Sequence, residues 1–171
     1  VKVALSGDGA DEMFGGYRKH LANIWAMRYR KLPSFARQGL ASATNSLPVL
    51  IGGKGLVFSR WGKRFLSFAD LPEADAFLRS YTYHSHLELE KLMPEVGAKA
   101  YGEIAGAHHS LYERASGKGH LDQMCYTDLN MFMVSLNEAY TDRASMAAST
   151  EVRVPFIDKE VVSLAFKFAS T

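Results

Sequence analysis

Three acidic side chains lie within five residues near the start of the chain, in a stretch rich in glycine. Asp8 lies between Gly7 and Gly9, and Asp11 and Glu12 follow it. Carboxylates this close repel one another, so a bound cation or a perturbed carboxyl group usually accompanies them. Glycines let the backbone approach a ligand closely or adopt positive φ. We therefore interpret Asp8 and Asp11 as candidates to bind a phosphate-bound cation or to act on a reacting group.

A structural interpretation of the same carboxylates is the alternative. Asp11 could be a plain N-cap for the helix that follows, and Asp8 could simply form the turn before it. No basic residue separates the three carboxylates, and this favours the functional interpretation.

The elements around this stretch predict where the carboxylates lie. Residues 1–5 are apolar apart from one lysine and include two β-branched valines, which predicts a short, buried parallel strand. Residues 6–10 then form the turn at its carboxyl end, the edge at which open α/β sheets bind ligands. One strand cannot form a sheet, so we expect its neighbours to lie in a part of the protein that precedes this chain.

The rest of the chain is predicted to be almost wholly helical. Apolar periodicity, prolines and caps predict helices over residues 17–31, from Pro33 onward, over 56–68, 72–83, 86–93, 98–114, 121–134 and 136–148, and after an N-cap at Asp158. Residues 41–55, rich in Ala, Ser, Gly and Pro, are predicted to be a linker or mobile loop. The apolar and methionine-rich residues 124–133 are interpreted as core packing.

Charge is unevenly distributed along the 171 residues. Residues 1–64 carry 11 basic and 3 acidic residues, whereas residues 65–171 carry 9 basic and 15 acidic ones. The acid-free block from Arg18 to Arg64 is interpreted as a solvated helical face. A contact with an anionic partner, or a helical module that binds nucleic acid or another protein, is the alternative. An overall pI near 8.6 is too mild to require nucleic acid, so none is predicted.

Cysteine and hydropathy indicate the compartment. Cys125 is the single cysteine, which excludes an internal disulfide and favours a reducing, cytoplasmic setting. We interpret Cys125 as a buried core residue rather than a nucleophile. No apolar run approaches the ~20 residues that a membrane helix needs, so no membrane association is predicted.

A second polar segment covers residues 140–158. Glu151 and Arg153 alternate with valines, so both charges share one face of an extended segment, where we expect a structural ion pair. Two roles are considered for Arg143, a structural one and the binding of a ligand. Ligand binding is considered because a guanidinium fits the geometry of phosphate and of carboxylate.

Both segments resemble one known family. Residues 6–17, with the sequence SGDGADEMFGGY, resemble the strand–turn motif of glutamine-dependent asparagine synthetases, and residues 142–158 resemble the later motif of the same synthetase domain. The resemblance implies an α/β fold of the ATP-pyrophosphatase type (adenine nucleotide alpha hydrolase-like), of which residues 1–171 form a part. The part present is expected to be mostly α-helical with one N-terminal parallel strand.

The resemblance also implies a reaction and roles for residues. ATP activates aspartate as an aspartyl-adenylate, and ammonia from a glutaminase domain then attacks it. Ser6 and Gly7 would contact ATP, Asp8 would be the catalytic carboxylate, and Asp11 would bind Mg²⁺ with the pyrophosphate. The family has no nucleic-acid or membrane partner in this reaction.

The chain departs from the family pattern at several points, and the family's downstream catalytic Lys is also not among its 171 residues. Asp8 stands where the better-known members have Glu, and residues 140–142 read Tyr-Thr-Asp in place of a Lys-containing version. The Ser-Gly-Gly-x-Asp-Ser pyrophosphate loop does not occur in these 171 residues, nor does an N-terminal glutaminase Cys. The chain alone is therefore expected to be inactive. The Tyr-Thr-Asp sequence at residues 140–142 resembles that of relatives from polysaccharide gene clusters. A sugar uronate is therefore the alternative acceptor.

Overall fold

The structure, a computed structural model, describes residues 2–48, 50, 51 and 54–168. Its elements in chain order are β1 (Val3–Leu5), α1 (Ala10–Phe14), α2 (Arg18–Arg30), α3 (Ser34–Ser46), β2 (Leu50–Ile51), β3 (Lys54–Gly55), α4 (Val57–Ala69), α5 (Glu73–Tyr81), α6 (His86–Leu92), α7 (Gly97–Arg114), α8 (His120–Asp128), a π-helix (Leu129–Glu138), α9 (Ala139–Ala147), β4 (Glu151–Arg153), a 3₁₀ turn (Pro155–Ile157) and α10 (Lys159–Ala165). They form two compact units, one made of residues 1–20 and 106–171 and the other of residues 21–105.

The first unit contains a short parallel sheet. Strand β1 pairs in parallel with β4, with Ala4 opposite Val152. The parallel direction was predicted. The expectation that every neighbour of β1 lies outside the chain is wrong, because β4 supplies one neighbour from within it. The prediction that β1 is buried is also wrong: Leu5 is 75% exposed and Val3 46% exposed. Within the described residues β1 has one paired edge, so its side chains are not covered on both faces as in a complete parallel sheet.

Residues 120–147 form one continuous helical run. The break predicted near residue 135 is wrong, because the π-helix joins α8 to α9 without interruption. A π-helix replaces i→i+4 backbone hydrogen bonds with wider i→i+5 bonds and is frequently found at functional sites. The core interpretation of this run is confirmed, since Met124, Cys125 and Met133 are all buried. Burial raises the pKa of the Cys125 thiol to about 12, so it remains a protonated core side chain.

The second unit packs three helices around a small apolar core. The buried residues of this core cluster are Ala26 and Tyr29 of α2, Phe68 and Ala69 of α4, and Ala76 of α5. Apart from the end of α3, the predicted helices here agree with the observed bounds to within two residues. The predicted linker over residues 41–55 is wrong in part, since α3 continues to Ser46 and β2 pairs antiparallel with β3. Positions 49, 52 and 53 of that linker lie outside the described residues.

The basic block is only partly a solvated face. Arg28 and Arg60 are exposed as predicted. Arg30 instead donates to the backbone carbonyl of Ala69 at 3.2 Å, where α4 ends. Arg64 donates to the carbonyls of Ser80 and Thr82 at 3.3 and 2.5 Å, where α5 ends. These guanidiniums bind carbonyl groups that the ends of helices leave without intrahelical partners.

Candidate functional site

The two polar segments identified in the sequence lie side by side in the first unit. Pairing of β1 with β4 continues into the turn, where the Ser6 amide donates to the Arg153 carbonyl at 2.9 Å. The carboxyl end of β1 therefore lies against the segment that follows α9. This contact brings together residues more than 130 positions apart, and no local sequence signal predicts it.

Gly9 fixes the turn between β1 and α1. Its φ is +90°, in the left-handed region that favours glycine, and it occupies the N-cap position of α1. A Cβ at this position would lie 2.6 Å from Cγ2 of Ile157, in the 3₁₀ turn of the second segment. The predicted need for glycine is confirmed here, and part of the reason is packing against the other motif.

Asp8 lies at the top of this turn and is half-buried. Its Oδ2 accepts a hydrogen bond from Thr141 Oγ1 at 2.9 Å, and its amide donates to Ser6 Oγ at 3.3 Å. Thr141 belongs to α9, so a side chain of the second segment holds the carboxylate of the first. Sequence reasoning missed Thr141.

Glu12 is the carboxylate of the acidic cluster that is fully buried. Its Oε1 accepts hydrogen bonds from Tyr17 Oη at 2.7 Å and Asn137 Nδ2 at 2.6 Å. Burial, followed by the hydrogen bond to Glu12, raises the pKa of Tyr17, so the phenol remains a proton donor. These contacts tie α1 to the end of the π-helix. The sequence identified Glu12 as acidic but carried no signal for its partner 125 positions away.

A second buried ionic group lies near the start of α2. Asp128 at the end of α8 is bonded to Lys19 Nζ through Oδ1 and to His20 Nε2 through Oδ2, each at 2.7 Å. The Lys19 ammonium also lies 4.3 Å from the centroid of the Phe132 ring. Because the buried carboxylate has cationic and hydrogen-bonding partners, it is compatible with the core, and within the first unit it joins residues 19 and 20 to α8.

Asp11 is exposed in the first turn of α1. The alternative interpretation of Asp11 as an N-cap is wrong, because Gly9 occupies the cap and no side chain caps this helix. A Cβ at Gly16 would overlap the Asp11 carboxylate, so glycine there leaves room for it. Asp11 therefore presents a carboxylate to solvent that has no capping function.

The two residues expected to contact ATP, Ser6 and Gly7, directly follow the carboxyl end of β1. Ser6 is half-buried and bonded to the Asp8 amide, whereas Gly7 is exposed. A Cβ at Gly7 would meet no protein atom within 4 Å. The space beside this part of the backbone is therefore open.

The charged residues of the second segment differ in their surroundings. Arg153 Nε donates to Glu151 Oε1 at 2.9 Å, which confirms the predicted ion pair, although both side chains are exposed. Arg143 is exposed on α9, and the structure gives it no hydrogen bond or ion pair within the described residues.

A cavity of about 500 Å³ lies beside α9 and β4. Thr141 lines it and at the same time holds Asp8. The apolar part of the lining comes from Val152 and Ile157, among others, and Glu138 and Asp142 contribute carboxylates. Among the described residues, those that line this cavity include no basic side chain.

A metal ion at the acidic cluster could be held by protein side chains alone or by a carboxylate together with a substrate phosphate. Within the part of the chain that the structure describes, no three His, Cys, Asp or Glu residues form a metal-binding group. Mg²⁺ usually keeps several waters and takes one or two protein carboxylates together with substrate phosphates. The exposed Asp11 carboxylate meets that requirement.

Comparison with known proteins agrees with this arrangement of motifs. The family model Asparagine synthase matches residues 1–169. The chain belongs to the asparagine synthase family. No solved structure matches it significantly.

Three curated relatives illustrate the similarity. Asparagine synthetase (glutamine-hydrolysing) 1 of Bacillus subtilis is 27% identical over 168 residues, which cover 98% of this chain and 25% of the relative. A Mycobacterium bovis protein named for the same activity is 28% identical over 165 residues, which cover 96% of this chain and 24% of that protein. A Methanocaldococcus jannaschii protein named as an asparagine synthetase is 57% identical over 37 residues, which cover 22% of this chain and 7% of that protein. The chain thus spans about a quarter of the length of the first two relatives.

None of the described helices combines the length and apolar character that crossing a bilayer requires.

Proposed function

We propose that residues 1–171 form part of the ATP-dependent amide-forming domain of a glutamine-dependent asparagine synthetase. An oxygen of the aspartate side-chain carboxylate attacks the α-phosphorus of ATP, and pyrophosphate leaves. Ammonia from glutamine then attacks the acyl carbon, and AMP leaves as asparagine forms. The observation that carries this proposal is the Asp8 carboxylate, held by Thr141 at the carboxyl end of β1 in a chain of this family.

Asp8 is the proposed catalytic residue. Attack by ammonia puts a positive charge on the nitrogen, and a proton must leave before the amide is complete. A carboxylate within hydrogen-bond reach of that nitrogen accepts the proton. Asp8 is half-buried rather than enclosed, so its carboxylate remains accessible to a substrate at the turn.

Ser6 and Gly7 are the proposed contacts to ATP. The open space at Gly7 lets a nucleotide approach the backbone at the end of β1, which is where open α/β sheets bind ligands. Ser6 keeps the turn in shape through its hydrogen bond with the Asp8 amide.

Asp11 is the proposed magnesium ligand. When bound, Mg²⁺ would neutralise charge on the phosphates and the leaving pyrophosphate. The exposed position of Asp11, two residues after the Gly9 cap, places its carboxylate on the solvent side of the turn.

The remaining parts of the catalytic machinery are proposed to lie elsewhere in the full-length protein. These parts are the pyrophosphate loop, which would complete an ATP-pyrophosphatase-type fold, and the glutaminase domain that supplies ammonia. The fourfold greater length of the relatives leaves room for both. A reducing compartment such as the cytoplasm fits the buried thiol of Cys125.

The experiment compares Asp8→Ala and Asp8→Glu with wild type in the full-length protein, measuring pyrophosphate and amide at saturating ATP. Loss of a proton-transfer group typically costs about 10²–10⁴-fold, so Asp8→Ala is expected to lose amide formation while glutaminase activity remains. Asp8→Glu should keep part of the activity, because a carboxylate is still present. Glu103→Ala, which removes an exposed carboxylate of α7, is the control and should resemble wild type. Near-wild-type amide formation by Asp8→Ala would remove Asp8 from the mechanism.

Amidation of a sugar uronate is the second candidate reaction. Residues 140–142 read Tyr-Thr-Asp where some asparagine synthetases have a Lys-containing version, and the Tyr140 side chain is exposed. The same assay with aspartate and with uronate sugars as acceptors distinguishes the two, since pyrophosphate release depends on the acceptor that is activated.

A further inference from the structure

Thr141 uses its hydroxyl differently from Thr127 and Ser145, two other hydroxyl residues of the same helical run. Thr127 Oγ1 donates to the Gln123 carbonyl at 2.8 Å and Ser145 Oγ to the Asp142 carbonyl at 3.0 Å, so both stay within their own helices. This is the usual local choice for Ser and Thr in a helix. Thr141 Oγ1 instead leaves α9 and donates to Asp8 Oδ2.

Two matched pairs of residues join the turn to the helical run. Asn137 and Thr141 are four positions apart and therefore lie on the same side of the helix. Their partners, Glu12 and Asp8, are also four positions apart in the facing segment. Asn137 lies in the last turn of the π-helix and Thr141 lies in the first turn of α9, so both contacts are made where these two helices join.

We infer that Thr141 is a positioning residue for Asp8 in amide formation. This inference rests on the proposed function of Asp8. Its hydroxyl holds Oδ2, which fixes the plane of the carboxylate, and the structure assigns Oδ1 no hydrogen bond within the described residues. Oδ1 is then the oxygen presented to the reacting nitrogen. Thr141 also lines the cavity of about 500 Å³, so the residue that holds the carboxylate borders a space large enough for a small substrate.

The test uses Thr141→Val, which keeps the β-branched shape and removes the hydroxyl, in the full-length protein. Misplacing a reacting group by ~1 Å can cost about 100-fold, so kcat for amide formation is expected to fall about 10- to 100-fold. The KM for ATP and the glutaminase activity should remain near those of wild type. Thr141→Ser, which keeps the donor, should recover most of kcat. Thr127→Val is the matched control, because it removes a hydroxyl that stays within its own helix, and kcat should not change.

A double-mutant comparison separates positioning from a general structural role. In an Asp8→Ala background, Thr141→Val should cause no further loss, because the carboxylate that it orients is gone. An equal further loss in that background would overturn the inference. Thr141→Ala is the second variant if Thr141→Val does not fold, and the same loss of kcat is expected.

The outcomes also separate this inference from the proposed function. If Asp8→Ala retains amide formation, the proposed role of Asp8 is wrong. If Asp8→Ala loses amide formation but Thr141→Val and Thr141→Ala retain wild-type kcat, Asp8 keeps its role and the positioning role of Thr141 is wrong.

Discussion

Burial divides the carboxylates of the first motif into different roles. Glu12 is fully buried, and a charge there needs partners, which Tyr17 and Asn137 supply. Asp8 is half-buried with one side-chain donor, and Asp11 is exposed. Glu12 therefore holds the motif together, whereas Asp8 and Asp11 remain accessible to a substrate or a cation.

Asp11→Asn tests whether the exposed carboxylate has a functional role. Asn keeps the shape and removes the charge. A carboxylate in the first turn of a helix stabilises it by about 0.3–1 kcal/mol, so the loss of stability should be small. If Asp11 binds Mg²⁺ with pyrophosphate, amide formation should fall at least about tenfold at low Mg²⁺ and recover in part as Mg²⁺ is raised. The measurement is amide formation by the full-length protein across a Mg²⁺ series, with thermal unfolding alongside. Unchanged activity at every Mg²⁺ concentration would contradict the metal assignment.

At the scale of elements, the sequence predicts what depends on local periodicity. Helices such as α4 and α7 follow from apolar spacing, and Pro33 and Asp158 mark the starts of α3 and α10. The pairing of β1 with β4 depends on residues almost 150 positions apart, so local pattern could not reveal it. The π-helix was missed because a run of apolar residues does not distinguish i→i+4 from i→i+5 hydrogen bonding.

For the candidate site, too, the sequence predicted the local segment but not its long-range contacts. The acidic turn with Asp8, Asp11 and Gly9 was identified from residue types and spacing alone. Its partners Asn137 and Thr141 were not, because an Asn and a Thr on a helix are ordinary surface residues until the fold places carboxylates opposite them. The basic block was misread in part for a similar reason: Arg30 and Arg64 bind the carbonyl ends of neighbouring helices, which sequence charge does not show.

Asp158→Ala tests the cap of α10. The structure confirms Asp158 as the N-cap, since its Oδ1 accepts a hydrogen bond from the Glu160 amide at 2.8 Å. Loss of such a cap costs about 1 kcal/mol. Asp158→Asn keeps an acceptor oxygen and should remain close to wild type. Chemical denaturation of the full-length protein measures the free energy of unfolding, with amide formation measured in parallel. A large fall in turnover at unchanged stability would show instead that Asp158 acts in the chemistry.

At the scale of the whole molecule, the sheet and the cavity indicate what residues 1–171 provide and what they need. Parallel sheets are covered on both faces, yet β1 exposes Val3 and Leu5. The cavity beside Thr141 is lined by carboxylates and apolar groups, which do not stabilise a triphosphate by themselves. Both observations support the proposal that the full-length protein supplies further strands and a phosphate-binding loop.

Residues 1–171 expressed alone are therefore expected to release no pyrophosphate in the presence of ATP, Mg²⁺, aspartate and ammonia, and to hydrolyse no glutamine. The Ser-Gly-Gly-x-Asp-Ser loop and the glutaminase Cys are not in this sequence, and adenylate formation needs positive charge or backbone donors on the transferring phosphate. The measurement is pyrophosphate release and glutamate formation, with circular dichroism to establish that the helices are formed. The full-length protein under the same conditions is the positive control. Aspartate-dependent pyrophosphate release by residues 1–171 would show that the phosphate-binding groups lie within this chain, and Arg143, exposed on the helix that carries Thr141, would then be the first residue to substitute.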